Sequence, residues 1–170
     1  KIELKALSEK KLLNKQISKD PPQDKQKILH NLYAQGELQK ALDKAAEFLK
    51  QFPCSVILHN FCGAIYAACN QYDAAIDSYK MALKIKPNYA PAHNNIGITL
   101  REKGELESST DAFKQALKFN PNYTDAYNNL GISMKIIGDL DAAIECYKMA
   151  LKINPNYAQV YNNLGNAYNN

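Results

Sequence analysis

Residues 124–157 read TDAYNNLGISMKIIGDLDAAIECYKMALKINPNY, and this one stretch holds two helical patterns. In its first half Tyr127, Leu130, Gly131 and Met134 fall at i, i+3, i+4 and i+7, one face of an amphipathic helix. In its second half Ala143, Tyr147 and Ala150 are spaced by four and then three, which is again helical. Gly138 stands between the halves, where a helix must stop and the chain reverse. Pro155 closes the stretch, because proline cannot continue the helix before it.

The pattern recurs in both directions from there. Pro53, Pro87, Pro121 and Pro155 are each 34 residues apart, and so are Gly63, Gly97, Gly131 and Gly165. Two residue types keep one period without slippage, and residues 73–90 match residues 141–158 at 15 of 18 positions. Such periods signal stacked supersecondary units. The preceding units place His59, Cys62, Gly63, Tyr66 and His93, Ile96, Gly97, Leu100 on the first helix face. Asn70 and Gly104 take the turn, and Ala75, Tyr79, Ala82 and Ser109, Phe113, Ala116 the second face. Gly inside a helix costs about 1 kcal/mol relative to Ala, so the recurring Gly implies close approach of a partner helix. The small Ala75, Ser109 and Ala143 are expected to meet it, with Tyr79, Phe113 and Tyr147 filling the wider gap between hairpins.

These residues together resemble the tetratricopeptide repeat (TPR) family: a large residue at repeat position 4, Gly at 8, Ala at 20, an aromatic at 24, Ala at 27 and Pro at 32. The resemblance spans residues 56–157. It implies an all-α solenoid of stacked antiparallel helix pairs forming a right-handed superhelix. The organisation expected is an N-terminal basic arm with a short helix over 1–21, a divergent repeat over 22–55, repeats over 56–89, 90–123 and 124–157, and the first helix of an incomplete repeat over 158–170. In the divergent unit Leu29 replaces the Gly and Phe48 the second Ala. Ser8 is placed to cap a helix over about 9–18, with Leu7 and Leu12 as its staple. The final segment keeps Tyr161, Leu164, Gly165 and Tyr168 without a second helix to cover them. A fragment of a longer protein is therefore expected, its end packed on another copy or poorly ordered.

Composition agrees with a compact, soluble, cytoplasmic chain: 46% hydrophobic and 22% charged residues, seven Gly and seven Pro among 170. No apolar run reaches the length of about 18 residues that a membrane span needs. The net charge of +4 invites a nucleic-acid partner, but residues 1–30 carry eight Lys against four acids and the remainder is neutral. Arg101 is the sole arginine, whereas nucleic-acid readers rely on clustered Arg and Lys. Nucleic acid is accordingly not the expected partner. Cys54, Cys62, Cys69 and Cys146 form no C-x-x-C pair, and His59 with Cys62 supplies only half of the roughly four ligands a zinc site takes. No metal, cofactor or catalytic constellation is expected.

The candidate site is asparagine. Asn94-Asn95, Asn128-Asn129 and Asn162-Asn163 recur once per period, and Asn60 matches the first member. In TPR-like stacking the first helices line a concave groove, and one side chain per helix forms a column along it. Asn carries donors and an acceptor and can bond the backbone of an extended peptide without selecting side chains. The arrangement resembles the asparagine ladder of O-linked N-acetylglucosamine transferases. The other reading of these residues, favoured for the first Asn of each pair, is that they bond neighbouring helices. Arg101 and Lys135 share position 12 and would give the groove a positive rim, or simply surface charge. The carboxylate clamp of chaperone-binding TPRs is not matched: Ile57, Pro91, Asp125 and Gln159 stand at its first position, and Phe61, Asn95, Asn129 and Asn163 at its second. The resemblance implies a protein–protein interaction scaffold holding a peptide or partner segment in its groove, with possible self-association through the incomplete repeat. The alternative is the substrate-docking region of a larger bacterial transferase, with the catalytic domain beyond residue 170.

Overall fold

A computed structural model describes residues 20–169; the helix expected over 9–18 lies outside them. Within the described residues the chain is helical throughout: α1 (Gln23–Ala34), α2 (Leu38–Gln51), α3 (Val56–Ala68), α4 (Tyr72–Ile85), α5 (Ala90–Glu102), α6 (Leu106–Phe119), α7 (Thr124–Ile137), α8 (Leu140–Ile153) and α9 (Ala158–Tyr168). Consecutive helices pack as antiparallel hairpins, and the hairpins stack in chain order.

The hairpin turns are built alike. Gly36, Asn70, Gly104 and Gly138 occupy repeat position 15, and all have positive φ, from +58° at Asn70 to +98° at Gly138. A left-handed residue there lets the next backbone N–H reach back five residues, Glu105 to the Leu100 carbonyl at 2.9 Å and Asp139 to the Met134 carbonyl at 3.0 Å. This ties off carbonyls that the helix end leaves unpaired. Asn is the one side chain besides Gly that visits this region with ease, which is why Asn70 stands in for glycine. Between repeats, Asn120 and Asn154 accept from the N–H of Asn122 and Asn156 at 3.2 Å, bracing the Pro-Asn turns before α7 and α9.

The steric lock inside each hairpin differs from the expectation. A Cβ added to Gly63, Gly97 or Gly131 would lie 2.5–2.6 Å from the ring of Tyr79, Phe113 or Tyr147 respectively. The aromatic at position 24 therefore sits on the glycine of its own hairpin, and the fully buried Ala75, Ser109 and Ala143 are not what the glycine accommodates. Position 24 lies one turn further along the antiparallel helix, and only a ring is long enough to reach the opposite backbone. The same rings extend outward to the next hairpin, as Tyr79 does in a cluster with Ala92 and Ile96. The first hairpin inverts the lock: Leu29 occupies the glycine position, Ala45 the aromatic one, and both are buried in one cluster with Phe48.

Curvature follows from which helices touch. Successive first helices meet one another, α3 with α5, α5 with α7 and α7 with α9, while no comparable contact joins successive second helices. The odd-numbered helices thus form the inner, concave side of the array. At the end of the described residues, α9 is a regular helix seated on α8 through Val160 and Ala167. Its other face carries Tyr161 and Tyr168, 53% and 61% exposed, and nothing lies within 4 Å of a Cβ built on Gly165.

Candidate functional site: the concave face

The asparagines lie on the inner helices and join them in rungs. Asn95 Nδ2 donates to Asn60 Oδ1 at 3.1 Å, Asn129 Nδ2 to Asn94 Oδ1 at 3.1 Å and Asn163 Nδ2 to Asn128 Oδ1 at 2.8 Å. Each rung runs from the second Asn of one repeat to the first Asn of the preceding repeat. Asn94 and Asn128 are 4% exposed, and the rung is what satisfies their carbonyl oxygens inside the array. Asn60, Asn95, Asn129 and Asn163 are half-buried, and Asn162 is exposed. One N–H of each second Asn is spent in its rung. The other N–H and the carbonyl oxygen of that amide are not used by the ladder.

The ladder stops at the first hairpin. Phe61 holds the donor position there and packs on the rings of His30 and Tyr33, with centroids 5.2 Å and 5.9 Å away. An aromatic cluster thus replaces the amide rung between α1 and α3.

Arg101 is not a groove rim. Its side chain is 13% exposed, its guanidinium lies 5.9 Å from the Phe113 ring centroid, and it donates to the backbone carbonyl oxygen of Asn129 at 3.3 Å. It ties α5 to α7 from within, and burial draws its pKa below the ordinary arginine value. A guanidinium has five donors and a flat apolar face, so it can stack on a ring and still reach a carbonyl. Lys135, at the equivalent position, is half-buried. The histidines are structural in the same way: His59 and His93 donate Nε2–H to the carbonyl oxygens of Pro53 and Pro87 at 3.1 Å and 2.9 Å, pinning each first helix to the turn before it. Tyr157 donates to Asp125 Oδ1 at 2.8 Å and links the start of α9 to the start of α7.

A recess opens beside the ladder that reading for motifs does not find. About 430 Å³ in volume, it lies between α1, α3, α4 and α5, and Ala64, Ala67 and Ala68 line its α3 side. Its signal in the sequence is a contrast: the same three repeat positions hold Ile98, Arg101 and Glu102 in the third hairpin and Ile132, Lys135 and Ile136 in the fourth.

A family model described as TPR repeat matches residues 63–100, 99–135 and 136–170. The chain belongs to this family. As a TPR protein it is similar to several solved structures. The crystal structure of MamA is 27% identical over 84% of this chain and 83% of that one, with a TM-score of 0.72. The pilF protein of Pseudomonas aeruginosa is 19% identical over 86% of this chain and 67% of that one, with a TM-score of 0.80. The first TPR of Spaghetti (RPAP3), solved bound to the HSP90 peptide SRMEEVD, is 22% identical over 67% of this chain and 90% of that one, with a TM-score of 0.65. No curated protein matches the chain in sequence. Nothing in these comparisons favours the transferase alternative. Among the described residues, no helix of the TPR array is long and apolar enough to cross a membrane.

Proposed function

We propose that this TPR array is a non-catalytic scaffold that holds an extended segment of a partner protein along its concave face. The observation carrying this reading is the column of Asn95, Asn129 and Asn163 on the inner helices, each with amide groups left over from its rung. Amides offer a donor and an acceptor to a passing backbone and discriminate little among side chains. The likeness in fold to a TPR that holds an HSP90 peptide supports the same use of the groove. The polar chemistry differs, since the clamp positions here carry no cation: they are amide, aromatic or aliphatic, with one carboxylate at Asp125.

The non-catalytic half of the reading is supported by the state of the reactive groups. Burial pushes the thiols of Cys62 and Cys146 up to about 11, far from the thiolate form that attacks or binds metal. A cytoplasmic setting is supported by the four free cysteines. Exclusion of nucleic acid is supported by the burial of the sole arginine. Self-association through the open face of α9 is supported by the exposure of Tyr161 and Tyr168. Sedimentation at high concentration is expected to show a dimer that Tyr161→Asp removes, and a monomer throughout would eliminate this part.

The groove is tested by changing Asn95, Asn129 and Asn163 to Ala, singly and together. Each single change leaves a partner carbonyl unpaired. Asn129→Ala, which strands the buried Asn94, is expected to lower stability by about 1–3 kcal/mol. The probe is a set of fluorescent 12-residue peptides selected from a random displayed library on the whole chain. Each lost backbone bond should weaken their binding about fivefold, the effect of roughly 1 kcal/mol. Reduced melting temperature with unchanged binding would make the asparagines purely structural.

A further inference from the structure

The concave face is not uniform along its length, and the recess beside the ladder has a chemistry of its own. Three alanines of α3 line the recess between α1, α3, α4 and α5, and Tyr33 and Ile98 stand beside them with Tyr72, Tyr79 and Asn95. Among the described residues Glu102 is the single charged one that lines it. Among the described residues the nearest cationic atom to its carboxylate is Arg101 Nε at 3.8 Å, longer than a hydrogen bond, and that guanidinium is directed at the backbone carbonyl of Asn129 instead. The recess thus combines an apolar lining, aromatic rings and a half-exposed carboxylate whose nearest cation among the described residues stands 3.8 Å away.

Few side chains match that combination. A leucine or phenylalanine would cover the alanines but would strip water from Glu102 without replacing it. An acidic side chain would be repelled. Lysine and arginine lay a methylene stem on apolar surface while keeping a charged head at its edge, and a cation gains further from an aromatic face.

We propose that the Ala64–Ala67–Ala68 recess receives the side chain of a lysine or arginine of the bound peptide, its stem on the alanines and its cationic head on Glu102. The proposal rests on the groove reading above and adds the residue that the peptide must carry. It gives the groove a polarity opposite to one that clamps a carboxylate.

The test uses the library-selected fluorescent 12-mers, titrated by anisotropy against the whole chain at low salt. Binders should share a Lys or Arg at one place. Replacing it with Leu should weaken binding about fivefold, the upper range for a solvent-exposed ion pair, and Glu102→Gln should do the same. The two changes combined should cost no more than either alone. Ala68 is exposed, so Ala68→Leu should leave the melting temperature unchanged while filling the recess and weakening binding at least tenfold. Binders that carry Leu or Phe at that place and ignore Glu102→Gln would overturn the proposal. If those same binders still respond to Asn95, Asn129 and Asn163→Ala, the groove reading survives without it. Binders indifferent to every one of these changes, or a selection yielding none, would overturn both.

Discussion

Gly97→Leu will destabilise the array by about 3 kcal/mol or more, at or above the usual cost of overpacking a core. Even the first carbon of the new side chain would lie 2.6 Å from the Phe113 ring. That ring is fully buried and has nowhere to move. The gain in helix propensity on replacing Gly, about 1 kcal/mol at most, is too small to offset the clash. Urea unfolding followed by circular dichroism measures the loss. The first hairpin supplies the control, because it already pairs a large residue at this position with a small one opposite, Leu29 with Ala45. The double change Gly97→Leu, Phe113→Ala should therefore recover at least half of the stability lost by Gly97→Leu alone. Equal instability of the single and double variants would show that ring and glycine are not one steric unit.

Tyr147→Ala is expected to cost about 3–5 kcal/mol, the range for removing a buried aromatic ring. Tyr147 is 1% exposed and clusters with Ala143, Ala150 and Val160, so the void would open at the seat of α9. Tyr147→Phe should cost well under 1 kcal/mol, since Phe113 fills the same place one repeat earlier without a hydroxyl. Tyrosine titration offers a second readout of the same packing. Burial pushes the Tyr147 phenol up to about 12, so the ionised form is disfavoured in the fold. The sign follows directly: the folded pKa lies above that of the unfolded chain, so stability from this group is intact at neutral pH. It falls as pH rises past the ordinary tyrosine value of about 10. The alkaline loss should be smaller in Tyr147→Phe, and an unchanged alkaline profile would place the ring in solvent.

The fold was legible because a 34-residue period repeats both of its spacings, the singleton glycines and the prolines, and because no alternative period accommodates them. The positive-φ turn at Asn70, Gly104 and Gly138 followed from the same alignment. Partner assignment inside the hairpin was not legible. Helical spacing shows which residues share a face, but not how far the facing helix is shifted along its axis. Small-against-small and ring-against-glycine fit the periodicity equally well, and only the axial offset decides between them. The site was partly legible. The recurrence of the asparagine pairs marked the inner face, yet the rungs connect residues 35 apart, one more than the period. That offset depends on the tilt between successive hairpins, which no single repeat encodes. Arg101 misled because position 12 in isolation reads as surface. Its burial requires Phe113 and Asn129 from two other helices. The alanine recess was missed because it is defined by missing atoms.

The inverted pairing of Leu29 and Ala45 has a consequence for how the chain reaches its native arrangement. Helices α4 and α8 are so alike that either could close on a neighbour's glycine, and a nascent array of near-identical parts risks exchanging them. The Leu29 helix cannot take part in such an exchange. Leu29 would collide with the ring of Tyr79, Phe113 or Tyr147, and a later glycine set against Ala45 would leave an unfilled hole. One mismatched key therefore gives an otherwise interchangeable set of parts a fixed register.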